Sequence, residues 1–235
     1  RTLAKASFHT ALNLLFFALI GTALLAITYQ LTHEPIARSE EKEKLKLVTQ
    51  IAPAETYDND IINDTADLAA DKLLGNDDTS IAYLGRLKDQ PSIAVLQVIA
   101  PDGYSGKIRL IISIHSDGPN AGKVGGVRVI SHKETPGLGD YIEIAKNKWI
   151  TVFDGRSLDD PKDDGWKVKK DGGSFDYMAG ATITPRAVVK AVHKALQYYA
   201  ANRDKLFAAK IPTPPNLPLS GEEQRKPKGV EENKK

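Results

Sequence analysis

Residues 107–130 read KIRLIISIHSDGPNAGKVGGVRVI, and the order of apolar and polar side chains in this stretch decides the kind of fold. Ile108, Leu110, Ile112 and Ile114 alternate with Arg109, Ser113 and His115, the period-two pattern of a strand with one buried face. Ser113 and His115 are therefore expected to point outward. Asp117–Gly122, DGPNAG, supplies turn residues that connect this strand to Val124–Ile130 as a hairpin, and Gly125-Gly126 marks a bulge.

The strand character extends outward over Ser80 to Lys133. Further along, the pattern changes to helix after Thr184-Pro185 and holds to about Phe207. Val189, Val192, Leu196 and Tyr199 share one apolar face there, opposite Lys190, His193, Lys194 and Gln197. His193 is thus expected in solvent. On the upstream side the Pro and Asp/Asn content of 52–60 signals a break, and Ile61–Leu74 is expected to form a short helix. A run of strands followed by a long helix predicts an α+β domain with antiparallel strands and flanking helices, spanning residues 51–210.

Ahead of that domain, Ala11–Leu31 reads ALNLLFFALIGTALLAITYQL without a charged residue. At about 1.5 Å per residue this run crosses a hydrocarbon core of roughly 30 Å. A cleaved signal peptide is the competing reading, but its apolar region is about 7–15 residues long and ends in a small-x-small site, which this run does not offer. Residues 1–10 are then a short cytoplasmic N-terminus, and the domain lies on the periplasmic side of a bacterial inner membrane. Residues 32–50 mix charges at helical spacing and continue the membrane helix as a solvated stalk. Gly21, Thr22 and Ala26 give a small-residue surface that a neighbouring membrane helix can approach. Residues 211–235 combine proline with charge and are expected to be extended or disordered.

Composition removes several classes of function. The net charge is +2, from 32 basic and 30 acidic residues, too weak a field to gather nucleic acid. With no cysteine there is no disulfide, thiolate-bound zinc, iron–sulfur cluster or thioether-linked haem. The five histidines show no short metal-ligand spacing, so no metal site is expected. Gly137-x-Gly139 lacks a third glycine and a strand–turn–helix setting, which excludes a dinucleotide fingerprint.

One segment remains, Asp176-Tyr177-Met178-Ala179-Gly180-Ala181-Thr182-Ile183-Thr184-Pro185. Thr184 suits a helix N-cap and Pro185 the first helical position. Thr182 then sits just before a helix N-terminus, where free amides and the positive end of the helix dipole favour a phosphate. Taken alone, these residues describe a capped helix start. A second segment, His132-Lys133-Glu134-Thr135-Pro136-Gly137-Leu138-Gly139, has the proline and glycines of a tight turn.

Both segments resemble elements of the FMN-binding domain family. Asp176, Gly180, Ala181 and Thr182 match its attachment pattern Asp-x-x-Ser/Thr-Gly-Ala-Thr, with Ala179 departing from the usual hydroxyl residue. Glu134–Gly139 looks like its Glu-Thr-Pro-Gly-Leu-Gly loop, and Gly103-Tyr104-Ser105-Gly106 fits the family's strand start more loosely. The resemblance implies FMN attached covalently, by phosphoester, to Thr182, installed from FAD by a separate flavin transferase. It implies cofactor contacts from Asp176, Met178, Gly180, Ala181, Glu134, Thr135, Leu138 and Gly139. No catalytic residue is implied.

With one N-terminal membrane helix, the chain resembles the G subunits of Rnf-type ion-translocating electron transport complexes, which are ferredoxin:NAD oxidoreductases. That implies an electron-transfer role beside other membrane subunits and no independent turnover. The alternatives are the C subunit of a sodium-translocating NADH:quinone reductase, which normally carries a larger soluble domain, a stand-alone flavin reductase, and a non-redox envelope anchor.

Overall fold

The computed structural model describes residues 2–208; the tail expected at 211–235 lies outside them. Helix α1, Thr2–Ile51, is one uninterrupted helix. Its portion Ser7–Ile36 is long and apolar enough to cross a membrane, and no part of that apolar window is covered by the rest of the chain. Leu14, Phe17 and Leu25 are 66%, 71% and 74% exposed, a surface suited to hydrocarbon. Within it the hydroxyls of Thr28 and Thr32 donate to the carbonyls of Leu24 and Thr28, each at 2.8 Å, so neither seeks an external partner. Pro35 lies inside the helix at the end of the apolar stretch.

The domain is built on a five-stranded antiparallel meander in the order β1 (Thr65–Leu68), β2 (Ser80–Leu87), β3 (Gln90–Gly103), β4 (Gly106–His115) and β5 (Val124–Ser131). Lys88 and Asp89, both at positive φ, form the two-residue β2–β3 turn. One of two irregularities in the β4–β5 pairing falls where Ser113 pairs with Gly126 and Ile114 with Val124, leaving Gly125 as the extra residue of the expected bulge. The helix expected over 61–74 does not form. Asp64 and Arg86 pair at 2.6 Å, and the Leu84 amide donates to the Asp64 carbonyl, which draws this segment to the edge of the sheet as β1.

One sheet face carries the main core, closed by helix α2 (Ile183–Ala208) and the turns that precede it. Val189, Val192, Leu196 and Tyr199 are all buried there. The other face is not solvated as the alternation of β4 suggests. The end of α1 lands on it: Val48, Ile51 and Ala52 pack with Ile93, Val95 and Ile111 into a second core. Ser113 is consequently fully buried, its hydroxyl donating to the Ile51 carbonyl at 2.6 Å, and His115 is half-buried. Burial pushes the His115 imidazole below its ordinary pKa. A β-carbon at Gly126 would lie 2.8 Å from Ile51 Cγ2, so the glycine leaves the space in which the helix end sits.

Between β5 and α2 the chain makes short 3-10 turns, among them Asp140–Ile142 and Lys148–Phe153, and isolated bridges such as Val168 to Phe175. Aromatic packing holds this segment. Trp149 meets Phe153 edge-on at 5.5 Å between centroids, Phe153 meets Phe175 at 5.1 Å, and Trp166 meets Phe175 at 5.0 Å. His193, expected in solvent, stacks on Trp166 at 5.0 Å and bonds Asp163 at 3.1 Å, because the 163–166 turn covers that side of α2.

Candidate functional site

Three segments distant in sequence converge at the start of α2. They are the tip of the β3–β4 hairpin at Tyr104-Ser105, the Glu134–Gly139 loop, and Gly180–Thr184. Together they enclose a cavity of about 200 Å³. A hollow of about 350 Å³ beside Lys107 and Arg109 contains none of these residues.

Gly180–Thr184 takes its shape from a turn in which the Ala181 amide donates to the Met178 carbonyl at 3.1 Å. Gly180 occupies its third position at φ 87°, a left-handed conformation that side chains resist. Ala181 is buried against the core. Thr182 follows directly, and its carbonyl accepts the Arg186 amide at 3.4 Å, the first bond of α2. Thr182 is therefore the N-cap, and the expectation that Thr184 caps the helix is corrected. Pro185 is the third helical residue, not the first; the amide it lacks would have had no partner in the helix anyway.

Thr184, 1% exposed, turns inward and donates to Glu134 Oε2 at 2.5 Å. Glu134 is itself 5% exposed, and its Oε1 accepts the Ser105 amide at 3.0 Å. Its own amide donates to His132 Nδ1 at 2.9 Å, which leaves His132 Nε2 to donate to Glu143 at 2.6 Å. For Glu143, burial raises the carboxyl pKa while hydrogen bonds from His132 and Lys146 lower it; the hydrogen bonds prevail. The loop closes on itself through the amides of Leu138 and Gly139, which donate to the Thr135 carbonyl at 3.1 Å. Asp140 completes it, accepting the Gly137 amide and the Lys146 ammonium, both at 2.8 Å.

Of the residues singled out from sequence, Glu134, Thr135, Leu138, Gly139, Gly180, Ala181 and Thr182 line the cavity. Asp176 and Met178 do not. The Asp176 carbonyl accepts Trp149 Nε1 at 2.7 Å and its carboxylate pairs with Lys169 at 2.6 Å, while the Met178 amide donates to the Tyr141 hydroxyl at 3.3 Å. Both fasten the motif to the aromatic core behind the cavity. Burial raises the pKa of the Tyr141 phenol, which stays a neutral partner for that amide. Tyr104, Ile183 and Thr184 line the cavity without having been singled out as contacts. Exposed Tyr104 and Ile183, with Leu138, form its apolar rim, and a large apolar side chain at a hairpin tip was the signal for Tyr104.

A cavity with a hydroxyl at a helix N-cap, free amides behind it and an apolar rim suits a phosphate-bearing aromatic cofactor. Comparison with known proteins agrees. Residues 103–197 match the FMN-binding domain, and residues 3–51 match the RnfG N-terminal region. The G subunit of the ion-translocating oxidoreductase complex from Pseudomonas aeruginosa PAO1 is 48% identical over 204 residues, covering 87% of this chain and 94% of that protein. The proteins of the same name from Vibrio cholerae O1 El Tor and Aliivibrio fischeri ES114 are 44% and 43% identical, over 83% and 84% of this chain and 91% and 92% of their own lengths. With apolar helix, sheet and cavity all inside these matches, the chain belongs to the family of G subunits of the ion-translocating oxidoreductase complex, with its FMN-binding domain.

Proposed function

We propose that this chain is a membrane-anchored electron-transfer subunit that carries FMN as a phosphoester on Thr182. It works within an ion-translocating ferredoxin:NAD oxidoreductase complex of the bacterial inner membrane, its domain on the periplasmic side, beside other membrane subunits. The observation that carries the reading is the position of Thr182: a half-buried hydroxyl residue at the N-cap of α2, in the wall of the cavity that joins both motifs.

In the attachment step a flavin transferase holds FAD. The Thr182 oxygen forms a bond to the phosphorus on the riboflavin side, the phosphoanhydride bond breaks, AMP leaves with the bonding electrons, and the hydroxyl proton passes to a base. The product phosphodiester is an anion, which the N-terminus of α2 favours. When bound, FMN supplies reversible one- and two-electron chemistry. The chain's own groups would hold it: exposed Leu138, Ile183 and Tyr104 form the apolar rim of the cavity, and Gly180 keeps the approach to Thr182 unobstructed. A covalent tether suits a cofactor that stands on a membrane surface and would otherwise be lost by dilution.

The test is Thr182→Ala in the full chain, expressed in a host with the transferase. In-gel flavin fluorescence and the FMN mass increment should vanish while the domain stays folded, since loss of an N-cap hydroxyl costs about 1 kcal/mol. Thr182→Ser should keep part of the label. In the same membranes, protease added to intact spheroplasts should remove the fluorescent domain. Flavin retained by Thr182→Ala, or a domain digested only in inverted vesicles, would overturn the corresponding part of the reading.

A further inference from the structure

We propose that Glu134 is the positioning residue of the attachment site, a buried clasp that holds Thr182 in the geometry needed for modification. The inference rests on the covalent-flavin reading and gives Glu134, so far only an expected cofactor contact, a role in placing the acceptor threonine.

The clasp is visible in what its two oxygens hold. Oε1 takes the Ser105 amide, fixing the hairpin tip that carries Tyr104, and Oε2 takes the Thr184 hydroxyl, fixing the first turn of α2 two residues beyond Thr182. The backbone of Glu134 belongs to the third wall, held in place through His132. One carboxylate thus ties together the three segments that meet at the cavity. Two glycines leave it room: a β-carbon at Gly139 would lie 2.7 Å from Oε2 and 2.9 Å from the Thr184 hydroxyl, and one at Gly103 would lie 3.0 Å from Oε1. A carboxylate buried this deeply and bonded at both oxygens is held in place, and it holds the walls it joins.

Thr182 has no such support of its own. It lies at the junction of a glycine turn and a helix end, both able to fray. Without the bond from Thr184 to Glu134, the first turn of α2 loses its only side-chain tie to the opposite wall among the described residues, and the Thr182 oxygen samples positions from which in-line attack on phosphorus fails. The defect is one of orientation, so it appears in the maximal rate of labelling and not in affinity for the transferase.

The experiment uses the full chain, made without a transferase and held in detergent, with purified transferase and FAD added and the FMN mass increment followed in time. At saturating chain, Glu134→Ala and Thr184→Val should each slow labelling by about tenfold to a hundredfold, the scale of a displaced reacting group. The double variant should be no slower than the worse single one, because both changes break one link. Glu134→Gln should stay near the wild-type rate, since its amide accepts from Ser105 and donates to Thr184. A general loss of structure would not be rescued this way. Should Glu134→Ala fail to fold, Thr184→Val, of nearly identical shape, decides alone. Wild-type labelling together with unchanged rates in Thr184→Val and Glu134→Ala would overturn this inference and leave the covalent reading intact. A wild-type chain that takes no flavin would overturn the reading beneath it.

Discussion

Residues 80–131 and 132–182 are of similar length and face each other across the main core, but they reach an ordered structure by different means. The first segment is four strands whose backbones satisfy one another, so its side chains need only alternate. The second has no ladder of its own. Its backbone is satisfied turn by turn, and its position depends on particular side chains: Phe153, Trp166 and Phe175 in a cluster, Asn147 capping the Trp149 turn, and Glu134, Asp140 and Trp149 bonding to backbone. The lesson is functional as well. The regular segment supplies a frame, and the irregular one, with the hairpin tip and helix start it grips, supplies the cavity.

If that contrast is right, the irregular segment is the more sensitive to single aromatic truncations. Phe153 is fully buried between Trp149, Phe175 and Trp166. Phe153→Ala should cost about 3–5 kcal/mol in chemical denaturation, the range for aromatic-to-alanine changes in a core. It should also slow flavin labelling in whatever fraction stays folded, because Trp149 anchors the attachment motif through the Asp176 carbonyl. A loss below about 1 kcal/mol, which is what a passive surface loop would show, breaks the comparison.

The regular segment has its own exception, and it is where the end of α1 docks. The alternation of β4 predicts a polar face at Ser113 and His115, which would hold for an isolated sheet. The end of α1 arrives from far upstream in the chain and buries that face, with Gly126 as the seat for Ile51. Gly126→Ala should displace Ile51 and cost about 1–3 kcal/mol, as overpacking does. Proteolysis near residue 52 should rise with it, while the inner core, on the opposite face, stays protected. An unchanged cleavage rate would mean that the helix end is only loosely held and that the sheet is as simple as its pattern.

These cases show what the sequence could reveal. The β4–β5 hairpin, its bulge, the apolar face of α2 and the apolar run of α1 are local patterns, and each was legible. The Asp176–Thr182 segment and the Glu134–Gly139 loop were singled out by resemblance, and residues of both line one cavity. Whatever depended on a remote partner was not. Thr184 reads as a cap because a threonine before a proline usually is one; only the arrival of Glu134 from a distant part of the chain turns it inward. His193 reads as solvated until Trp166 lies over it. Thr65–Leu68 alternates over only four residues, too short a run to tell strand from helix, and it is drawn to β2 where Asp64 pairs with Arg86. Asp176 and Met178 carry the motif's spacing but serve it from behind.

The smallest expected effect lies within the irregular segment, at Asp140. Its carboxyl is held below the ordinary aspartate range chiefly by the hydrogen bond from Lys146, with the Gly137 amide contributing, against an opposing effect of burial. The ordinary value, about 3.9, applies to the unfolded chain, so near and below it the unfolded state binds the proton more readily than the folded one. The stability contributed by Asp140 is therefore fully present above that value and is lost as the pH falls through the lower folded one. Lys146 does not change charge in this window, its own pKa being raised by the same pair. The nearby Glu143 is also lowered, so acidification alone does not isolate Asp140. Asp140→Asn does: the amide oxygen can still accept from Gly137, but the charge facing Lys146 is gone. Amide exchange at Gly137, Leu138 and Gly139 reports the loop directly. In the wild type, protection there should decline as the pH falls below about 4 while the β3–β4 amides remain protected, and in Asp140→Asn it should start lower and vary less with pH. If the variant keeps the full acid dependence, Glu143 carries it. If the sheet amides decline in step with the loop, the two segments unfold as one unit and their difference is confined to how they are built.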